Sequence, residues 1–272
     1  MTKTNRRLRV IENRPLSPDV FLLTLGVVET HGRASLQNIK PGQFANILVE
    51  NAPNVFLRRP FSIHDVDLAH SFIKFFIQKV GKGTEQLAKL KSGDGVEVVF
   101  PLGNGFDICR GEVRSPSGQA NPAPTNVLLA GGGVGVAPLL YLAKILKQNG
   151  NEPTILIGGR SKKNIFRIEE YVKYGKVLVI TEDGSLGEKG LITEHSIFQQ
   201  QTFDQIYCCG PDAMMKAVGK LAVKKNIPCQ VSLENTMACG FGACLCCVTK
   251  TVDGHLCVCT DGPVFDVTKL AH

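Results

Sequence analysis

No apolar run in this 272-residue chain is long enough to cross a membrane as a helix, which takes about 20 residues. The first residues, MTKTNRRLRVIEN, are basic but lack both the apolar stretch and the small-residue cleavage site of a secretory signal. These two absences point to a cytoplasmic protein with no membrane partner. Internal repeats and low-complexity tracts are also missing, which sets aside solenoid and disordered classes. The net charge is +7, yet no dense basic run interleaved with aromatics is present, so nucleic acid is not an expected partner and the excess reads as solvated surface. Hydrophobic residues at 43% and charged residues at 20% are ordinary for a soluble globular chain whose length suits two domains and a short appendage.

What is plentiful is cysteine. There are ten, and six of them (Cys239, Cys244, Cys246, Cys247, Cys257 and Cys259) fall close together near the C-terminus. In a reducing compartment such a concentration of thiols points to metal rather than disulfides.

Up to about residue 105 the pattern is one of short strands, VFLLTLGVV, QFANILV, RPFSIHDV, SFIKFFIQKV and VEVVF, separated by turn residues. An antiparallel β-barrel is expected over residues 1–110, interrupted by one helix at TEQLAKLK with Thr84 placed to cap its first turn. The stretch 110–126 is rich in Pro, Ser, Gly and Asn and reads as a linker. Residues 125–232 alternate apolar strands (NVLLA, TILIG, KVLVI, DQIYCCG, CQVSLE) with helical stretches (APLLYLAKILKQNG, NIFRIEEYVKYG, PDAMMKAVGKLAVKK), the mark of an α/β domain built on a parallel sheet. Residues 233–272 form a small third domain around the cysteines. The fold class is therefore α+β and multidomain.

Three motifs carry chemistry in the first two domains. In Arg59-Pro60-Phe61-Ser62 an arginine is able to pair with a pyrophosphate while a nearby hydroxyl bonds a ring, although a surface arginine and a strand serine need no ligand. Gly81-Lys82-Gly83-Thr84 precedes the helix, where glycine admits a phosphate to backbone N–H groups and the helix dipole attracts it. Gly131-Gly132-Gly133-Val134-Gly135-Val136-Ala137-Pro138 follows a strand and opens a helix, where a parallel sheet binds a dinucleotide, though its spacing departs from G-x-G-x-x-G. A later strand ends in Cys208-Cys209-Gly210-Pro211 and faces the same edge. Three glycines in a tight turn and a buried cysteine are the plain alternatives.

Cys239, Cys244 and Cys247 have the C-x4-C-x2-C spacing of plant-type [2Fe–2S] sites, with Gly240 and Gly242 freeing the loop between them. Cys259 or Cys257 supplies the fourth thiolate. Four thiolates also suit zinc, but zinc sites draw their cysteines from two separate knuckles, whereas three ligands here come from one loop.

The succession of barrel, R-P-F-S, G-x-G-T, GGGVGVAP and CGP resembles the ferredoxin–NADP reductase superfamily over nearly all of residues 1–235. The resemblance implies FAD bound by Arg59, Pro60, Phe61 and Ser62, where the family often has tyrosine at the Phe61 position, with Gly83 and Thr84 on the FAD phosphates. It implies Gly132, Gly133, Cys209, Gly210 and Pro211 on the nicotinamide side. The tail MACGFGAC…VCTDGPVF is in turn similar to the electron-transfer subunit family of dihydroorotate dehydrogenase B. That similarity implies Cys239, Cys244, Cys247 and Cys259 as ligands, with Cys246 and Cys257 outside the set. It further implies a hetero-oligomer, a heterotetramer in the family, with an FMN-containing catalytic subunit that oxidises dihydroorotate, electrons passing through the [2Fe–2S] centre and FAD to NAD⁺. No residue of this chain is expected to act as acid or base on orotate. A reductase subunit serving a hydrogenase or a transhydrogenase is the rival enzyme reading, and a redox-sensing module without turnover is the rival from another class. Whether NAD or NADP is preferred stays open at Gly158-Gly159-Arg160-Ser161.

Overall fold

The computed structural model describes residues 4–27, 36–108, 113–114, 120–121 and 126–271. The chain divides into two compact units, Met1–Gly105 with Leu233–Val264, and Phe106–Ser232 with Phe265–His272. Val28 and most of the 110–126 linker lie outside the described residues, apart from a short antiparallel ladder between β8 (Val113–Arg114) and β9 (Ala120–Asn121).

Seven antiparallel strands make the sheet of the first unit: β1 (Thr4–Ser17), β2 (Val20–Gly26), β3 (Phe44–Ile47), β4 (Arg59–Ser62), β5 (Asp65–Asp67), β6 (Phe72–Gln78) and β7 (Gly95–Leu102). Their order is β4-β3-β7-β1-β2-β6-β5. The two edge strands, β4 and β5, are joined by only Ile63 and His64. The Ile63 N–H donates to the Gln43 carbonyl beside β3, and the very next N–H, of His64, donates to the Lys74 carbonyl on β6, each at 2.9 Å. A sheet whose first and last strands are two residues apart in the chain has to curl until its edges meet, and this one does. Leu23, Leu25, Ile47, Ile63, Ile73, Phe75 and Phe100 fill the interior and are fully buried.

Within the first sheet, β1 is the strand that the reading of the sequence lacks. It runs for 14 residues between β7 and β2, with Leu8 and Val10 buried and Arg7 and Arg9 exposed. Alternation of period two is present in L-R-V, but the surrounding arginines make the segment look like a polar tail. The barrel helix α1 spans Lys82–Leu87, starting two residues earlier than TEQLAKLK. Gly81 stands at its N-cap, and Thr84, in the third helical position, accepts from the Gly81 N–H at 3.2 Å and the Val80 N–H at 2.9 Å.

The second sheet has the order β13-β12-β11-β10-β14-β15-β18. Its strands are β10 (Val127–Gly132), β11 (Thr154–Gly159), β12 (Lys176–Thr181), β13 (Glu188–Lys189), β14 (Gln205–Cys209), β15 (Cys229–Ser232) and β18 (Val264–Asp266), and the pairs from β13 through β15 are all parallel. Successive strands run one way from β10 through β11 and β12, then return to its other side at β14. β10 is thus the point where strand order reverses, and a crevice opens above such a point. The helix α2 (Ala137–Gln148) follows β10, has Pro138 in its first turn and stops at Asn149-Gly150, where Gly150 takes a left-handed φ of 87°. The expected helix over 164–175 is a single turn, α3 (Ile168–Tyr171), because Arg167 sits at φ 58°, ψ 33° and blocks extension toward the N-terminus. The one-turn α4 (Ile197–Gln200) precedes β14, and α5 (Asp212–Lys224) follows it.

Ile63→Ala, at the seam of the barrel, is expected to lower the free energy of unfolding by ~2–5 kcal/mol, whereas Val80→Ala, on the surface, stays within ~0.5 kcal/mol. Denaturant titration of both variants checks this, and equal losses would contradict the closure described here.

Candidate functional site

The first two motifs meet in space. β4 pairs with β3 in the register Ile47↔Arg59 to Phe44↔Ser62, and all four residues Arg59–Ser62 are half-buried. Arg58 and Arg59 have separate fates. Arg58 forms an ion pair with Glu97 and also donates to its carbonyl at 3.2 Å, and hydrogen bonds from Asn5 and Arg58 hold the Glu97 carboxyl below its usual range. Arg59 donates from Nη1 to the Leu57 carbonyl at 2.7 Å, and among the described residues it has no carboxylate partner. A Cβ added at Gly83 would lie 3.0 Å from Arg59 Nε, so glycine is what lets the guanidinium rest against the α1 turn. Thr84 donates its own hydroxyl proton to the Gly81 carbonyl at 2.9 Å and so fixes that turn. A positive charge without an acidic partner among the described residues, set against the first-turn N–H groups, has the chemistry to receive an anion.

In the same unit the cysteine loop is followed by a hairpin, β16 (Val248–Thr251) and β17 (Gly254–Cys257). Gly240 and Gly242 take φ values of 77° and 90°, which wrap the loop tightly round the Cys239 sulfur. Burial alone would raise the Cys239 thiol, but N–H groups of Phe241, Cys244 and Ala243 and the Cys244 thiol outweigh it and bring it down to about 6. Cys259 is pushed up to about 12 by burial and by its hydrogen bond with the Cys247 thiol, against the opposing effect of the Gly242 N–H. The Cys259 N–H in turn donates to Cys247 Sγ at 3.4 Å. The four thiols therefore fall into two contacting pairs, Cys239 with Cys244 and Cys247 with Cys259. No three His, Cys, Asp or Glu side chains among the described residues converge on a single-ion site. Two pairs of sulfurs suit two irons that each take two thiolates, and suit one tetrahedral zinc less well. Cys246 turns away, its Sγ donating to the Thr236 carbonyl at 3.6 Å. Burial, then the fields of Cys247 and Asp261, raise the Cys257 thiol.

The second unit gathers the two strand ends on either side of the reversal point. Gly131 on β10 pairs with Cys209 on β14, and a Cβ at Gly135 would stand 2.3 Å from Gly210 Cα. Gly133, at φ 55°, has no described residue within 4 Å of where a Cβ would be, so among the described residues the crest above β10 is open. Cys209 itself is fully buried, and its Sγ donates to the Ser232 carbonyl at 3.6 Å. Pro211 is exposed at the start of α5.

Two features of this unit escape the reading of the sequence. Tyr171 is completely buried and donates its hydroxyl to the Val136 carbonyl at 2.9 Å, so it anchors the turn that follows Gly133 from below. Burial raises the Tyr171 phenol well above its ordinary value and keeps it a donor. The loop after β12 is tied to the end of β11, with the Asp183 N–H on the Arg160 carbonyl at 3.2 Å and the Lys162 N–H on Ser185 Oγ at 2.7 Å. Asp-Gly-Ser at 183–185 is a turn signal that marks this loop in the sequence, while nothing local marks Tyr171. Gly135→Ala is expected to abolish binding of NADH to the purified chain, and Tyr171→Phe to weaken it by ~1 kcal/mol, the worth of one hydrogen bond. A fluorescence titration with NADH checks both, and wild-type affinity in Gly135→Ala counts against a dinucleotide crest here.

Comparison with known proteins bears on the same regions. Residues 234–271 match the family model for the iron-sulfur cluster binding domain of dihydroorotate dehydrogenase B, and residues 129–220 match an oxidoreductase NAD-binding domain. The electron transfer subunit of dihydroorotate dehydrogenase B (NAD(+)) from Caldanaerobacter subterraneus subsp. tengcongensis is 38% identical over 265 residues, covering 95% of each chain. The subunit of the same name from Clostridium acetobutylicum is 42% identical over 227 residues, covering 84% of each. Among solved structures, an NADH-dependent reduced ferredoxin-NADP oxidoreductase superposes with a TM-score of 0.82 at 29% identity, covering 98% of this chain and 90% of that one. A ferredoxin reductase of carbazole 1,9a-dioxygenase, at 20% identity and a TM-score of 0.65, shares the fold. On identity and coverage together, this chain belongs to the family of electron transfer subunits of dihydroorotate dehydrogenase B.

Proposed function

We propose that this chain couples the oxidation of dihydroorotate, carried out by an FMN-containing catalytic subunit, to the reduction of NAD⁺ in pyrimidine biosynthesis, as the electron-transfer half of a cytoplasmic hetero-oligomer. The observation that carries the reading is the joining of the four-thiol loop to the flavin-type barrel in one compact unit.

The residues divide the work by chemistry. Arg59 meets the FAD pyrophosphate with a charge that no carboxylate of the described residues neutralises, and the N–H groups around Gly83 add to it while Thr84 fixes their turn. Pro60 and Phe61 hold the strand and pack against the cofactor, and Ser62 offers its hydroxyl to the flavin ring. Cys239, Cys244, Cys247 and Cys259 hold the [2Fe–2S] centre. Gly132, Gly133, Gly210 and Pro211 shape the crest that receives the nicotinamide dinucleotide, and Cys209, buried beneath it, contributes its backbone position at the strand end. Bound FAD supplies the exchange between single electrons and a hydride pair, and the iron–sulfur centre supplies single-electron transfer.

The likeness at 29% identity to a ferredoxin-NADP oxidoreductase supports a second reading, in which the same three sites serve a ferredoxin-linked partner. The chain reconstituted with the FMN-containing subunit is expected to form NADH when dihydroorotate is added. NADH formation with reduced ferredoxin and none with dihydroorotate would favour the second reading.

Two further outcomes are expected. Arg59→Ala lowers FAD affinity by ~1.5–3 kcal/mol, the range for a charge-assisted contact, and leaves the circular dichroism spectrum unchanged; unaltered flavin content would show that the arginine does another job. Serine replacement of Cys239, Cys244, Cys247 or Cys259 loses or strongly perturbs the cluster, while Cys246→Ser and Cys257→Ser keep it. In the first set FAD reduction by NADH survives. A cluster kept in Cys259→Ser and lost in Cys257→Ser would move the fourth ligand to Cys257.

A further inference from the structure

Between the flavin strand and the cluster loop lies one polar side chain that neither site uses. Asn46 is on β3, directly opposite Pro60 of β4, and is 1% exposed. Side chains of directly opposed residues share a face, and period two puts Ser62 on that face as well. Asn46 Nδ2 donates at 3.3 Å to the carbonyl of Cys239, the first thiol of the loop. The contact is tight from both sides. A Cβ at Gly240 would stand 2.1 Å from that same nitrogen and 3.5 Å from Leu102 Cδ1, and Gly240 already has φ 77°. The loop can therefore pass over β3 only because position 240 has no side chain.

The other half of the amide is unsatisfied. Asn46 Oδ1 is buried and has no hydrogen-bond partner among the described residues. A buried acceptor left alone is costly, and an apolar residue of similar volume would avoid that cost. In purely structural terms asparagine is a poor choice for this place in a barrel wall. The one thing it does that leucine cannot is hold the backbone of Cys239.

We propose that Asn46 is a positioning residue for the iron–sulfur centre: through the Cys239 carbonyl it fixes the loop, and with it one thiolate, at a set place relative to the strand that carries the flavin motif. The inference rests on the cluster and flavin assignments made above. Partners of this kind, one bond removed from a metal ligand, govern both how firmly the metal is held and its electronic character.

The test compares wild-type protein, Asn46→Leu and Asn46→Gln, each purified anaerobically with the catalytic subunit. Iron, acid-labile sulfide and FAD in the wild type establish the two sites on which the inference rests; their absence there condemns the functional reading and not the role of Asn46 alone. In Asn46→Leu, FAD content and thermal stability are expected to stay at or above wild type. Iron is expected to pass to a chelator about tenfold faster or more, at the low end of the range for such partners. The electron paramagnetic resonance spectrum and midpoint potential of the reduced cluster are expected to shift. Asn46→Gln, which keeps a donor, restores part of the spectrum. Wild-type iron release, spectrum and potential in Asn46→Leu would overturn the proposal. So would a loss of thermal stability and FAD content with an unchanged cluster spectrum, which would make Asn46 a packing residue only.

Discussion

Everything in the first unit depends on the seam where the chain crosses from one edge of its sheet to the other in two residues. Ile63 and His64 donate consecutive backbone hydrogen bonds to opposite edges, at Gln43 and Lys74. An open sheet would leave β4 as a free edge, exposed to pairing and free to slide in register. Here β4 is still an edge strand, but pairing with β3 on one side and the seam at its C-terminal end hold its register. The register of Arg59–Ser62 against Phe44–Ile47 is then fixed, and so is the distance from Arg59 to the glycine turn of α1. Asn46 inherits its place under the cysteine loop from the same register.

The cysteine loop is held to the barrel by polar contacts at its two ends. Near its start Asn46 takes the Cys239 carbonyl, and past its end Asn104, just beyond β7, donates from Nδ2 to the carbonyls of Thr260 and Asp261 at 3.0 and 3.1 Å. The Leu233 N–H closes the segment on the Pro263 carbonyl at 2.9 Å. This gives the G-P-V-F ending a physical reason: Pro263 packs where Gly103 leaves room beside it. The environment of the thiols is then split by local chemistry, with N–H groups favouring a thiolate at Cys239 and burial opposing one at Cys259.

The sequence made legible those parts whose chemistry is local. Glycine turns, a proline at a helix start and closely spaced cysteines announce themselves because the backbone needs those residue types within a few positions. The crest above β10 and the C-x4-C-x2-C run of Cys239, Cys244 and Cys247 are readable for that reason, whereas spacing alone leaves the fourth thiol open between Cys257 and Cys259. The strand β1 was not, since its arginines hide an alternation that makes sense only between β2 and β7. The single turn at Ile168–Tyr171 was read as a longer helix because a left-handed arginine leaves no mark in composition. Tyr171 and Asn46 were invisible for a third reason: each acts through one hydrogen bond to a residue far along the chain, Val136 or Cys239. Thr84 reads as a cap of the first turn, and its hydroxyl serves the turn of α1 from the third position inside the helix.

The first compact unit is discontinuous in the chain, with Phe106–Ser232 lying between its barrel and its cysteine segment. During synthesis the barrel strands leave the ribosome first, the nucleotide-binding strands β10 to β15 follow, and only then do the clustered thiols emerge, Cys259 last among them and β18 after it. A nascent chain interrupted between the end of β7 and that residue carries all the barrel strands and at most three of the four sulfurs. If these four thiols hold the centre, loading of iron is deferred until the barrel and the nucleotide-binding strands β10 to β15 have been made.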